Sequence, residues 1–137
     1  MNQRGFATLE VILMVMVIGI LASIAVPRFT TVTAAANTAK IQADLAAIDT
    51  AIAVAIMDGK DIEAGDVNST TDLKDYLQDY DKIEPPTGNC YMGKATADPV
   101  PGDGKYKIAA ASTVDTTLRA KLGDKTAGDF YKAKDSQ

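Results

Sequence analysis

The residues nearest the start that could do chemistry are gathered in the stretch RGFATLE: Arg4, the Gly5–Phe6 step and the carboxylate of Glu10. The run VILMVMVIGILASIAV follows at once, so Glu10 is the only charged residue between Phe6 and Val26. A carboxylate facing lipid costs about 2.5–3.5 kcal/mol at the centre of a spanning helix and less near the interface. Two uses of Glu10 fit this placement. One turn inside a membrane, it could snorkel to the headgroups. Alternatively it awaits a cation within the membrane, supplied by another chain, and the span then has a built-in reason to assemble.

The remaining inventory excludes more than it offers. The 137 residues include one cysteine, Cys90, and neither histidine nor tryptophan. An internal disulfide and a Cys/His metal site are therefore out of reach, and the commonest general base is missing. Carboxylate or serine chemistry is not excluded by composition, but no motif recommends it. The expectation is a non-enzyme with no catalytic residue, metal or cofactor. Arg4 and Glu10 cancel, so the net charge of −4 belongs to the part beyond Pro27. That acidic balance argues against generic binding to a phosphate backbone.

The element that must carry Glu10 is a helix from Phe6 to Val26, which spans about 31 Å, enough for a hydrocarbon core of ~30 Å. A secretory signal has a shorter apolar region of about 7–15 residues and a small-residue cleavage site, and neither matches here. MNQRG carries basic charge without an acid, which favours keeping that end in the cytoplasm. The bare reading is a single-pass protein, N-terminus inside, with an exported C-terminal part.

The stretch RGFATLEVILMVMVIGILASIAVPRF resembles the N-terminus of type IV prepilins and of the related pseudopilins of type II secretion. The resemblance implies a leader of residues 1–5 ending at Gly5, removed by a prepilin peptidase in the membrane. Phe6 would be the mature N-terminus and the site of N-methylation, and Glu10 the assembly glutamate that pairs with a neighbouring subunit's amine. Gly19 and Pro27 stand where the family carries a helix-weakening Gly and Pro. Many members have Thr or Ser directly after the Phe, whereas here Ala7 comes first and Thr8 follows.

Downstream of Pro27 the helix is expected to continue to Met57. Ile41, Leu45, Ile48, Ile52 and Ile56 repeat at helical spacing, the segment is rich in alanine, and Gly59 suits a stop. This predicts one helix over about 6–57: a transmembrane and assembly part at 6–27 and an amphipathic part at 28–57. The alternative is two helices joined around VPRFTTVT, where Pro27 and the β-branched Thr30, Thr31, Val32 and Thr33 weaken the helix. Gly19 adds another soft point, and the resemblance implies that in filaments the helix can melt locally between Gly19 and Pro27.

Residues 58–137 read as a small globular head. Asp58, Asp61, Glu63 and Asp66 gather in a polar loop, read as solvated because the spacing does not match a 12-residue EF-hand. STTDLKDYLQDY offers caps before Leu73, Tyr76, Leu77 and Tyr80 and predicts a short helix. EPPTGNCYMGKA and KYKIAAAS read as strands, with Tyr106 and Ile108 inward and Lys105 and Lys107 outward. DPVPGDG supplies turn residues, TVDTTLRAKLG is a short helix or a strand with a turn, and GDFYKAK a last strand. The fold class is thus α+β and pilin-like, a long N-terminal helix whose outer half packs against a small antiparallel sheet.

Three functions follow. The first is a subunit of a type IV pilus-like helical filament, a homo-oligomer built with prepilin peptidase and inner-membrane assembly machinery, first a cytoplasmic-membrane precursor and then an extracellular fibre. The second is a pseudopilin of a periplasmic fibre, although the Asp-Pro-Trp-Gly stretch common there is only faintly echoed in ADPVPGDG. The third, from another class, is a membrane-tethered binding module indifferent to Glu10. DNA could be a partner if Lys105, Lys107, Lys132 and Lys134 fall on neighbouring strands, but exposed strand lysines more often protect edges. Cys90 is either a small buried residue or a cross-link between subunits.

Overall fold

The computed structural model describes residues 3–110 and 116–134, with side chains from Gly5 onward. Residues 1–33 and 34–137 form two compact units. Helix α1 runs from Gln3 to Met57 as one element, so the two-helix alternative is not realised. It begins earlier than the expected Phe6 and includes Arg4 and Gly5.

In the first unit, α1 is exposed on all sides. Pro27 lies inside it without interrupting it. Side-chain hydroxyls bond back onto the helix around that point: Ser23 to the Ile20 carbonyl at 2.7 Å, Thr30 to Pro27 at 2.8 Å, Thr31 to Arg28 at 2.8 Å and Thr33 to Phe29 at 2.9 Å. Each hydroxyl is thereby satisfied on its own helix, a back-bonding that adds little or nothing to helix stability.

In the second unit, α1 supplies one wall of the core. Ile41, Leu45, Ile48, Ile52 and Ala55 are buried, whereas Ile56 is half exposed. The expected stripe is therefore corrected at its last position. A turn has 3.6 residues, so a second consecutive step of four rotates Ile56 off the face and leaves Ala55 on it. Gly59, at φ +80°, then ends the helix, and the Lys60 N–H reaches back to the Ala55 carbonyl at 2.9 Å.

The sheet is small. Strands β1 (Gly65–Asp66), β4 (Tyr106–Ala110) and β5 (Leu118–Leu122) form an antiparallel sheet in the order β1-β4-β5. Strands β2 (Asn89–Cys90) and β3 (Asp98–Pro99) form a separate antiparallel pair. Tyr106 faces Leu122 and Ile108 faces Ala120, all four buried, which confirms the inward face expected of KYKIAAAS. Its last residues, Ala111 and Ser112, and the start of TVDTTLRAKLG up to Asp115, lie outside the described residues.

Two expectations fail locally. STTDLKDYLQDY forms no α-helix but 3-10 turns at Thr71–Leu73 and Tyr80–Lys82. Thr70 spends its hydroxyl on the Asp66 carbonyl rather than on a cap, and Asp79 adopts a left-handed φ of 58° that a helix cannot contain. Leu73, Leu77 and Tyr80 are nevertheless buried. GDFYKAK forms a 3-10 turn at Ala127–Asp129 and one bridge at Lys132 instead of a strand. Within DPVPGDG, Asp98–Pro99 is strand, and the turn falls on Gly102 and Gly104, both at positive φ.

Candidate functional site

Gly5, Phe6 and Glu10 all lie on α1, and the spacing of four places Phe6 and Glu10 on one face, about 6 Å apart along the axis. Phe6 is 73% exposed. Glu10 borders a shallow apolar hollow with Leu13, Met14, Val17 and Ile18. The helix has a mean hydropathy of 2.7 over its most apolar window and is long and apolar enough to cross a membrane. The Thr8 hydroxyl donates to the Gly5 carbonyl at 3.0 Å, so the displaced hydroxyl of the motif engages the backbone. A Cβ placed on Gly5 or Gly19 would meet nothing within 4 Å, so no contact inside the chain requires glycine at either position.

A second set of α1 residues, polar and mostly flanking the apolar stripe, fastens the helix within the second unit. Asp49 accepts Arg119 through Nε at 3.0 Å and Nη2 at 2.8 Å, and its other oxygen accepts the Ala120 N–H at 2.7 Å. Asp44 accepts the Tyr106 hydroxyl at 2.7 Å and pairs with Lys40, which also donates to the Glu84 carbonyl at 2.9 Å. Burial, and then the bond to Asp44, push the Tyr106 phenol far above its ordinary range. Asn37 donates to the Thr87 and Asn89 carbonyls, and the buried Thr38 hydroxyl accepts the Tyr91 N–H at 2.8 Å. Sequence reasoning places Lys40, Asp44 and Asp49 off the stripe but assigns none of these residues an anchoring role. The signal was their position flanking the stripe, with Asp44 next to Leu45 and Asp49 next to Ile48.

The proposed lysine stripe does not assemble. Strand β4 lies between β1 and β5, while Lys132 bridges Lys94 elsewhere, so the four lysines do not share neighbouring strands. Lys105 pairs with Asp66 and Lys107 with Asp103, each at 2.9 Å. In the acidic loop, Asp66 is thereby engaged and Asp58 accepts the Tyr76 hydroxyl at 2.9 Å, while Asp61 and Glu63 are exposed. Cys90 is a free, buried thiol, the first of its two readings. Its pKa is raised by burial and, secondarily, by the charge of Asp98.

Comparison with known proteins bears on the whole chain. It is 33% identical over 132 residues to a fimbrial protein of Pseudomonas aeruginosa, covering 95% of this chain and 74% of the relative. It is 27% identical over 133 residues to the type IV major fimbrial protein FimA of Dichelobacter nodosus, covering 96% and 80% respectively. A shorter match, 41% over 66 residues, links it to the type IV narrow pilus major component of Thermus thermophilus, covering 48% of this chain and 57% of that one. No family model matches the chain, and no solved structure matches it significantly. With an exposed apolar helix at one end, an α+β fold at the other and full-length similarity to fimbrial proteins, the chain belongs to the type IV pilin family, whose members are structural subunits rather than enzymes.

Proposed function

We infer that the chain is the structural subunit of a type IV pilus-like filament, processed by prepilin peptidase and polymerised through the first part of α1. The observation that carries this reading is the surface of that part. From Phe6 to Val26 every large apolar side chain stands between 55% and 73% exposed, with Glu10 as the one charge among them. Such a surface needs cover, from lipid in a precursor and from other copies in a fibre. Arg4 before the span favours a cytoplasmic N-terminus and export of the rest.

Hydrolysis of the Gly5–Phe6 peptide bond would release MNQRG and leave a cationic amine on Phe6, which then takes a methyl group. Glu10 of an axially shifted subunit would meet that amine. Desolvated pairs often only break even, so the value of the contact is register: a misplaced subunit leaves its carboxylate unpaired in an apolar setting. Gly19 and Pro27 would be the points where α1 gives way as subunits pack. The relatives are named for fimbriae and pili, which supports an external pilus over the periplasmic fibre of type II secretion.

The test is intact mass and N-terminal analysis after expression with a prepilin peptidase, alongside Glu10→Ala scored for filaments. The expected result is loss of MNQRG, one methyl on Phe6, and a processed but unassembled variant. Retention of Met1 would overturn the processing, and filaments at the normal level from Glu10→Ala would overturn the role of Glu10.

A further inference from the structure

The segment from Phe130 to Ala133 forms no sheet strand, yet it is held at four points. The Phe130 ring is fully buried in the core. The Tyr131 carbonyl accepts the Gly93 N–H at 2.8 Å and the Ala133 N–H donates to the Lys94 carbonyl at 3.2 Å, making a single parallel bridge between Lys94 and Lys132. The Lys132 ammonium stands 5.4 Å from the centre of the Tyr91 ring. The Tyr131 ring lies across Gly93, where φ is +70° and a Cβ would come within 3.4 Å of the phenol oxygen. Every partner outside the core belongs to the loop that follows Cys90 between β2 and β3.

We propose that Tyr131–Ala133, hinged on the buried Phe130, is a non-covalent latch that closes the loop of residues 91–97 onto the second unit and opens separately from the rest of the core, uncovering Cys90 at the base of that loop. The β2–β3 pair has only two residues in each strand, too few to hold the loop unaided. From α1, Asn37 and Thr38 secure Thr87, Asn89 and Tyr91, whereas the latch holds Gly93 and Lys94. Apart from Phe130 the latch is lightly anchored, since Tyr131 is 51% exposed and Lys132 is exposed as well. Segments with few buried contacts and solvent-facing backbone bonds are those that open first. With one cysteine in the chain, no internal disulfide can do this work. In the closed state the Cys90 thiol lies buried in the same core cluster as Phe130, where burial raises its pKa and leaves it unreactive.

Cys90 is also the reporter. The full chain in detergent micelles is labelled with a thiol reagent across low urea concentrations, for the wild type, Phe130→Ala, Lys132→Ala and Ala133→Pro. Ala133→Pro removes the N–H given to Lys94 and fixes the backbone there without touching the buried Phe130 ring, so it tests the latch even where Phe130→Ala does not fold. The expected result is labelling about tenfold faster in Ala133→Pro, with unchanged helical circular dichroism and a shallow urea dependence in the wild type. Labelling of Ala133→Pro at the wild-type rate would overturn the latch. So would wild-type labelling that follows global unfolding with its full urea dependence.

Discussion

Tyr106 buries its ring in the core and donates its one phenolic proton to Asp44 on α1 at 2.7 Å. Its pKa is raised first by burial, then by that hydrogen bond, then by the Asp44 charge. An unfolded phenol titrates near pH 10, whereas the folded one keeps its proton above that. The stability it contributes is therefore complete below about pH 10 and is lost as the pH climbs beyond, because the unfolded state sheds its proton first. Tyr106→Phe should cost about 1–2 kcal/mol at pH 7, and the gap to the wild type should narrow progressively above about pH 10. Urea denaturation of both proteins between neutral and strongly alkaline pH measures this. Tyr76 and Tyr80 are also raised, but they are common to both chains and drop out of the difference. A gap that stays constant with pH would mean that the Tyr106 proton plays no part.

At the scale of elements, the apolar stripe of α1 was legible from spacing as far as Ile52, and its error at Ile56 makes a prediction of its own. Ile56→Ala should cost about 0.5 kcal/mol or less, as a surface change does. Ala55→Leu, at a fully buried position, should cost about 1–3 kcal/mol through overpacking. The reverse order of costs in urea melts would restore the stripe as first read. The helix was readable because it repeats a strong period over many residues, and β4 because Tyr106 and Ile108 alternate with Lys105 and Lys107. The 3-10 turns at Thr71–Leu73 and Tyr80–Lys82 were not, because burying Leu73, Leu77 and Tyr80 satisfies the same apolar spacing without a continuous run of i→i−4 hydrogen bonds. Two-residue strands such as Asn89–Cys90 are too short to leave a local period and are set by partners outside them, Asn37 on α1 and Asp98 across the turn. At the candidate site the motif from Gly5 to Glu10 was readable because a lone acid in an apolar run is conspicuous. Asp44 and Asp49 were not, because an acid on a helix looks solvated until its partners, Tyr106 and Arg119, are known.

Across the whole molecule, stability and candidate function are assigned to different residues. The continuous core begins at Ile41 and takes nothing from the apolar residues between Phe6 and Val32. All the residues proposed to act in processing and assembly, by contrast, lie in the first unit. A chain that starts at Thr30 keeps one turn of helix ahead of Ala34, so that Asn37 and Thr38 hold their contacts clear of the frayed end. It should dissolve without detergent and unfold within about 0.5 kcal/mol of the full chain, since the core cluster includes no residue before Ile41. It should also stay out of filaments when made together with the full chain, because it lacks both Glu10 and the apolar surface that other copies would cover. Urea melts of the two proteins and the composition of purified filaments read these outcomes separately. An unfolded fragment would mean that the first unit supports the core after all. A folded fragment recovered inside filaments would instead move the assembly contacts onto the second unit, and the exposed helix would then be an anchor alone.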